Sequence, residues 1–395
     1  MAVDEKGGIS KGQSMPWPKN SIDLKWFKEN TINNVVVMGR KTWEDPFMPT
    51  PLKSRINVLI TSKDKELIEG ADNYFSGNKN DQIQNLQSEY KDMDIFIIGG
   101  GINGCGIARD ASGRGLKVCL AEMNDLASGT SSASTKLIHG GLRYLKYFDF
   151  KLVKEALKER DVLLKIMPHI CWPMRFLIPL QSFKINNFFI RCGLLIYDYI
   201  AGYSILPKTE TTNLQNSSFN AFLKSKFTKA YIYSDCWVED SRLVVLNAID
   251  AKKRGANILT RTRVINFEKK GKLWNVITKN NKGEIHEFLC KCIVNAAGPW
   301  VDNINNYTRS KNTFSTRLVK GSHLVVNKLF DHNYAFFLTG NDGRIIFVIP
   351  FQDEYSLIGT TEVIHQNMDQ KPMCSDEEKD YLLNFINNYF DFNLN

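Results

Sequence analysis

Six residues, Gly99-Gly100-Gly101-Ile102-Asn103-Gly104, carry the spacing of a turn that cradles phosphate. Gly99 permits a tight turn, Gly101 lets backbone approach a pyrophosphate, and Gly104 lets the following helix pack close to its strand. The pattern alone is weak, but here it directly follows an apolar strand and opens a helix, the context that gives it meaning. Glu122 closes the next strand 18 residues after Gly104, where an acid bonds ribose hydroxyls. The bland alternative is a structural β-turn-α with a surface glutamate. Together these residues imply a dinucleotide, without choosing between a nicotinamide and a flavin one.

The next stretch, Leu126-Ala-Ser-Gly-Thr-Ser-Ser-Ala-Ser-Thr-Lys-Leu-Ile-His-Gly-Gly-Leu-Arg-Tyr144, is rich in short hydroxyl donors. Thr130, Ser131, Ser132 and Ser134 suit pyrophosphate or flavin ring oxygens, although such composition is more often a solvent loop. The Leu137-Ile-His-Gly-Gly141 that follows argues for a site, because a buried Gly140-Gly141 pair lets a flat ring come close to backbone. His139 alone is more often a satisfied core histidine. This stretch resembles the FAD-dependent glycerol-3-phosphate dehydrogenases, within the wider flavin amine and hydroxy-acid oxidases. The resemblance runs from about Asp94 to Glu362. It includes Tyr233-Ser-Asp-Cys-Trp-Val238, Asn295-Ala-Ala-Gly-Pro-Trp300, Lys320-Gly-Ser-His323 and Ile358-Gly-Thr-Thr361.

The resemblance implies FAD as cofactor, with Leu137, His139, Gly140 and Gly141 beside the flavin. It puts Val264, Ala297 and Gly298 at the adenine half, and Arg143 and Tyr144 on the substrate face. A planar guanidinium binds phosphate oxygens in pairs, which suits Arg143 to that task. The implied reaction is hydride transfer from carbon 2 of glycerol 3-phosphate to FAD, giving dihydroxyacetone phosphate, with a membrane quinone as electron acceptor. Family members continue past Gly-Thr-Thr into a final strand and helix, further basic residues and a helical domain. The expectation is a C-terminally incomplete flavoenzyme of impaired activity, with a separate chain as one source of what it lacks.

Residues 1–100 resemble dihydrofolate reductase through Ala2-Val-Asp, Gly7-Gly-Ile-Ser, Met15-Pro-Trp17, Asp23-Leu-Lys-Trp-Phe27, Val37-Met-Gly-Arg-Lys-Thr-Trp-Glu44 and Pro51-Leu-Lys-Ser-Arg55. The resemblance implies Asp23 as the carboxylate holding the pterin, with Trp17 near it. It implies Phe27 and Leu52 along the folate, Arg55 on its glutamate, and Arg40 and Thr42 on NADPH phosphate. A carboxylate does bond adjacent ring N–H and amino groups as a pair. The string Ile97-Ile98-Gly99-Gly100 occurs in both families and marks the expected junction. A reductase ending there lacks sheet partners, so its site is expected to be vestigial.

These residues need elements to hold them. The strand Ile95–Ile98, the helix Ile102–Ser112 and the strand Lys117–Ala121 form a βαβ unit. A helix is expected over Phe150–Ile166, then strands over Cys292–Ala296, His323–Val326 and Ile345–Ile349, and a short helix near Glu377–Phe390. In the first segment, a helix over Ser21–Asn30 and strands over Val35–Met38 and Asn57–Ile60 are expected. The polar stretch Asn73–Ser88 reads as loop or frayed helix. The fold class is α/β: a partial reductase-like sheet (1–93), then an FAD-binding Rossmann-type domain with a mixed α+β substrate domain (94–395).

Charge supports the division. Residues 1–93 hold 13 Lys+Arg and 13 Asp+Glu, so the remainder carries the whole formal charge of +9. That suits an anionic substrate, cofactor or membrane surface, while no basic block of the nucleic-acid type occurs. Eight cysteines show no zinc-type pairing, so no metal is expected, and without a signal peptide they read as reduced, mostly core thiols of a cytoplasmic protein. Cys290 and Cys292 should share one strand face. Phe188–Leu206, broken by Arg191 and Asp198, reads as a buried helix before one lying on a membrane face. A peripheral position on the inner face of the cytoplasmic membrane fits a quinone-linked enzyme.

Overall fold

The computed structural model describes residues 21–32, 34–44, 50–61, 71, 73–76, 93–181, 186–307, 315–340, 342–366, 370–392 and 394. The chain divides into two compact units, Met1–Asp92 and Met93–Asn395.

In the first unit, the helix Ser21–Thr31 precedes a three-stranded parallel sheet of Val35–Gly39, Ile56–Thr61 and Asn73–Ser76, paired in that order. The last strand corrects the expectation of a loop at Asn73. Its backbone pairs with Ile56–Thr61 from Val58↔Asn73 to Thr61↔Ser76, and this pairing outweighs its polar flanks. Val36, Met38, Trp43, Leu52 and Leu59 form a small core with Phe27 against it. Asn57 is buried and exchanges two hydrogen bonds with the backbone of Leu52, at 2.9 and 3.1 Å.

The second unit contains two sheets. The first is six-stranded, in the order Asn257–Leu259, Val118–Ala121, Met93–Ile98, Ile285–Asn295, Leu273–Asn280, Thr262–Lys270. Its first four strands are parallel and the last two join antiparallel. The helix Ile102–Gly113 crosses from Met93–Ile98 to Val118–Ala121 and packs against the helix Asp240–Lys253. Small residues, Ala108, Ala111, Ala248 and Ala251, fill that contact.

The second sheet is eight-stranded and built around the long antiparallel pair Cys171–Gln181 and Phe227–Val238. The helices Phe150–Ile166 and Asn186–Tyr199 cover one face through Val153, Leu157, Leu194 and Tyr197. The helix Asp376–Asn387 covers the other through Leu382, Phe385 and Ile386. Ser375 starts that helix with a capping box, its side chain and that of Glu378 each accepting from the other's backbone N–H.

Cys290 is buried and Cys292, two residues along the strand, is exposed, so that face is not covered along its whole length. One expectation about surfaces changes. The Asn186–Tyr199 helix is not fully buried: Leu194 and Tyr197 face the sheet, but Phe188 and Phe189 are each 67% exposed. Apolar residues ring this helix, and only one stripe of them finds a partner. Among the described residues, no helix is long and apolar enough to cross a membrane.

Candidate active site

The C-terminal ends of the four parallel strands meet at one place. Gly99 N–H donates to Ala121 O at 2.9 Å, Ala296 N–H to Ile98 O at 2.9 Å, and Glu122 N–H to Leu259 O at 2.8 Å. Gly99–Gly101, Glu122 and Ala296–Gly298 are thereby assembled where open α/β sheets bind ligands. Two glycines are required by close approach. A Cβ on Gly104 would stand 1.9 Å from Gly99 O, and one on Gly99, at φ +112°, would stand 2.4 Å from Ala296 O.

Gly101 differs from both. A Cβ there would meet only Ser131 Oγ, at 3.1 Å, so its bareness opens the turn outward. Gly101 is the N-cap of the helix Ile102–Gly113 and gives its first turn no side-chain acceptor. Ile102 N–H instead donates to Ser131 Oγ at 3.0 Å, and Ile102 and Asn103 are exposed. A helix start without a side-chain cap, facing a hydroxyl-bearing loop, suits the negative charge of a pyrophosphate. The residues present therefore fit a dinucleotide.

Glu122 accepts from Gly100 N–H at 2.7 Å and Asn124 N–H at 2.8 Å. These bonds fix the carboxylate beside the turn and leave lone pairs for ribose hydroxyls. Val264 is buried and packs in one cluster with Ala297, while Gly298 adopts φ +55° and is exposed. Below the turn, burial and then the Glu122 charge push the Cys105 thiol up to about 12, so it is an inert packing group.

The hydroxyl loop is less uniform than its composition suggests. Thr130 is exposed, and Ser131 receives Ile102 N–H as above. Ser132 Oγ turns back on Gly129 O at 3.2 Å. Ser134 Oγ donates to Asp240 at 2.8 Å, and Lys136 Nζ meets the other oxygen of Asp240 at 2.7 Å. Ser134 thus ties the loop to the helix Asp240–Lys253.

Leu137 pairs with Trp237 in the sheet and packs in its core. Gly140 and Gly141 are buried, His139 and Arg143 are exposed, and Tyr144 is half-buried. Gly141 N–H donates to His139 Nδ1 at 3.0 Å, so the neutral ring presents Nε2–H. At φ +70°, Gly141 turns the chain left-handed into the short helix Leu142–Tyr147. The Arg143 guanidinium then lies 5.3 Å from the centroid of the Tyr144 ring.

Two further groups that the sequence does not single out tie separate blocks together. His323 Nε2 lies 3.1 Å from Thr135 Oγ1, and burial, helped by Lys136, holds its pKa below the usual value. Glu378 is buried and accepts from Thr361 Oγ1 at 2.6 Å, Ser322 Oγ at 2.9 Å and Lys320 Nζ at 2.7 Å. Burial works against its charge, but these bonds prevail and hold it at about 2. It joins the Lys320–His323 and Ile358–Thr361 blocks. Only the recurrence of those two blocks hinted at a shared partner.

In the first unit, Trp17 and the side chains of Asp23 and Arg40 lie outside the described residues. Leu52 is buried and Thr42 exposed. Arg55 directs its guanidinium at Thr31 Oγ1, 2.7 Å, and at Lys53 O, 2.8 Å.

Residues 94–394 match the family model of FAD dependent oxidoreductases, and the chain belongs to that family. Residues 1–102 match the dihydrofolate reductase model, and the two matches overlap across the Gly99–Gly101 turn. The chain is 47% identical, over 77% of its length, to D-erythritol 1-phosphate dehydrogenase of Brucella abortus (strain 2308), covering 61% of that protein. It is 44% identical, over 75% of its length, to the aerobic glycerol-3-phosphate dehydrogenase of Escherichia coli (strain K12), covering 59% of it. The solved glycerol-3-phosphate dehydrogenase from Bacillus halodurans complexed with FAD superposes with a TM-score of 0.62 at 32% identity. That match covers 79% of this chain and 55% of the other. The chain thus spans about three-fifths of the length of the curated relatives it matches.

Proposed function

We propose that residues 94–395 form the flavin-binding part of a polyol-phosphate dehydrogenase acting on sn-glycerol 3-phosphate. The observation that carries this reading is the run from the open Gly101 turn to the exposed Arg143, on a loop shaped by Gly140 and Gly141. FAD bound there would accept the hydride from carbon 2, leaving dihydroxyacetone phosphate. The chain's residues bind and orient. Gly99–Gly104, Ser131 and Glu122 hold the dinucleotide, and His139–Gly141 line the flavin. Arg143 takes a phosphate oxygen pair, with Tyr144 beneath it. The substrate hydroxyl must lose a proton, and His323, kept neutral by its surroundings, is the acceptor this reading favours over His139, whose Nδ1 is occupied.

Electrons would pass to a membrane quinone. The exposure of Phe188 and Phe189, and a net charge of +9 carried by this part of the chain, support a peripheral seat on an anionic inner membrane face. Phosphate binding in this reading takes cations besides Arg143, since a phosphate group carries more charge than one guanidinium neutralises.

The test is an absorbance scan of the purified chain followed by glycerol 3-phosphate-dependent dye reduction, with erythritol phosphate as competitor. Bound flavin is expected, with turnover that depends on Arg143. Loss of one charged hydrogen bond costs about 1.5–3 kcal/mol, so Arg143→Ala should raise KM roughly ten- to a hundredfold while sparing FAD. A chain without flavin, or a variant with unchanged KM, would overturn the assignment.

A further inference from the structure

The motif Tyr233-Ser-Asp-Cys-Trp-Val238 marks the family but has no part in the site described above. Its Asp235 is 2% exposed, in the middle of the strand Phe227–Val238. Arg160, from the helix Phe150–Ile166 and 5% exposed, donates Nη1 to Asp235 Oδ1 at 2.9 Å and to Ser234 O at 3.1 Å. Its Nε and Nη2 are taken by Asp161 Oδ1, at 3.1 and 3.0 Å. Tyr197, from the helix Asn186–Tyr199, donates its hydroxyl to Asp235 at 2.8 Å. The same hydroxyl accepts the Gly140 N–H at 2.7 Å. Three elements distant in sequence therefore converge on one backbone amide of the glycine loop.

We propose that the Tyr197 hydroxyl, held by the Asp235–Arg160 pair, is a positioning group that fixes the His139–Gly141 turn and, through it, Arg143. A phenol beside a carboxylate has its proton directed at that carboxylate, so its lone pairs face Gly140 and only a donor can sit there. The fit is tight: a Cβ on Gly140 would stand 2.7 Å from the Tyr197 oxygen and 2.4 Å from Leu157 Cδ2. Gly141, Tyr144 and Arg143 follow in a rigid succession, since Tyr144 N–H donates to Gly141 O at 2.9 Å. Burying a full ion pair is costly unless its geometry and hydrogen bonds are satisfied. Here the carboxylate's remaining acceptor capacity takes the Tyr197 hydroxyl, whose own lone pair then receives the Gly140 N–H.

The inference rests on reading this turn as the flavin-side loop, so the experiment separates the two. Hydrogen exchange of the full chain, followed by mass spectrometry, compares Tyr197→Phe and Asp235→Asn with the parent. Tyr197→Phe removes the hydroxyl that bridges Asp235 and Gly140. Exchange in the peptide covering residues 139–144 should rise roughly tenfold, while the Thr262–Lys270 strand keeps its rate. Asp235→Asn keeps an acceptor for the phenol but takes the carboxylate from the buried Arg160, so it should also accelerate exchange in the Phe227–Val238 strand, which Tyr197→Phe should spare. Where the parent holds flavin, Tyr197→Phe should also change the shape of the flavin's visible band, which a remote packing defect leaves alone. An unchanged rate at residues 139–144 in Tyr197→Phe would overturn the inference. A parent without flavin would overturn the functional reading, and the exchange result would still decide the role of Tyr197.

Discussion

In the first unit, Val37 and Ile56 sit on paired parallel strands yet are 46% and 41% exposed, whereas every residue of Val118–Ala121 in the second unit is buried. Parallel strands are stable when both faces are covered. The second unit satisfies that rule with helices and further strands. Among the described residues of the first unit, five buried apolar residues form the core. The first unit matches the dihydrofolate reductase model and the second the FAD dependent oxidoreductase model, so the difference teaches how much surrounding chain a parallel strand needs before both its faces are covered. The glycine turn works because strands from four places in the sequence close around it.

The comparison is sharpened most by breaking that closure. Gly104→Ala should abolish flavin retention and destabilise the second unit by about 3 kcal/mol, because its Cβ falls on Gly99 O. Gly101→Val should also empty the protein of flavin but leave the melting temperature nearly unchanged, since that Cβ meets only Ser131 Oγ. Absorbance and thermal melts of both variants read the two effects apart. If Gly101→Val keeps its flavin, the turn is structural only.

Acid should act on the second unit through Glu378. Its pKa is depressed to about 2 in the fold, so its stabilisation is complete above the ordinary value of 4.5 and is lost as pH falls through that window toward 2. Glu378→Gln, which keeps the shape but not the charge, should cost about 2 kcal/mol at pH 7 and flatten the acid limb of the stability curve. A variant with the parent's acid limb would show that other carboxylates govern it.

Smaller effects are expected in the first unit. Asn57→Ala removes the paired bonds to Leu52 and should cost about 1 kcal/mol locally, seen as faster hydrogen exchange in residues 50–61, with flavin content unchanged. A fall in flavin content would mean that the units are energetically linked. The smallest expected signal is zero: the chain should not oxidise NADPH with dihydrofolate. Measurable oxidation that disappears in Asp23→Asn would reverse the comparison.

How much was legible follows from distance along the chain. The glycine turn, its strand, its helix and Glu122 lie within 30 residues, Met93 to Glu122, and spacing alone exposes them. The helix Phe150–Ile166 was equally plain, because its apolar positions keep a helical period. Asp235, Tyr197 and Arg160 were not, since nothing local says that residues up to 75 positions apart will share one carboxylate. Ser134 was read as a cofactor donor from its type, but its direction depends on Asp240, 106 residues away. The capping box at Ser375 was in plain view. What could not be read is that Glu378 serves both the cap and two loops. The strand Asn73–Ser76 was missed because pairing with Ile56–Thr61, rather than its own hydropathy, makes it a strand.

The strand order of the six-stranded sheet has a consequence for how the protein is made. Met93–Ile98 lies between Val118–Ala121, which leaves the ribosome soon after it, and Ile285–Asn295, which follows nearly two hundred residues later. Until that last strand emerges, the first has an open side and the Ala296–Gly298 wall of the nucleotide cleft does not exist. The cleft is therefore completed late in synthesis, and cofactor capture must wait for it. During that interval the nascent chain carries a glycine turn with one bare parallel edge, the kind of surface on which a chaperone or another nascent copy would act first.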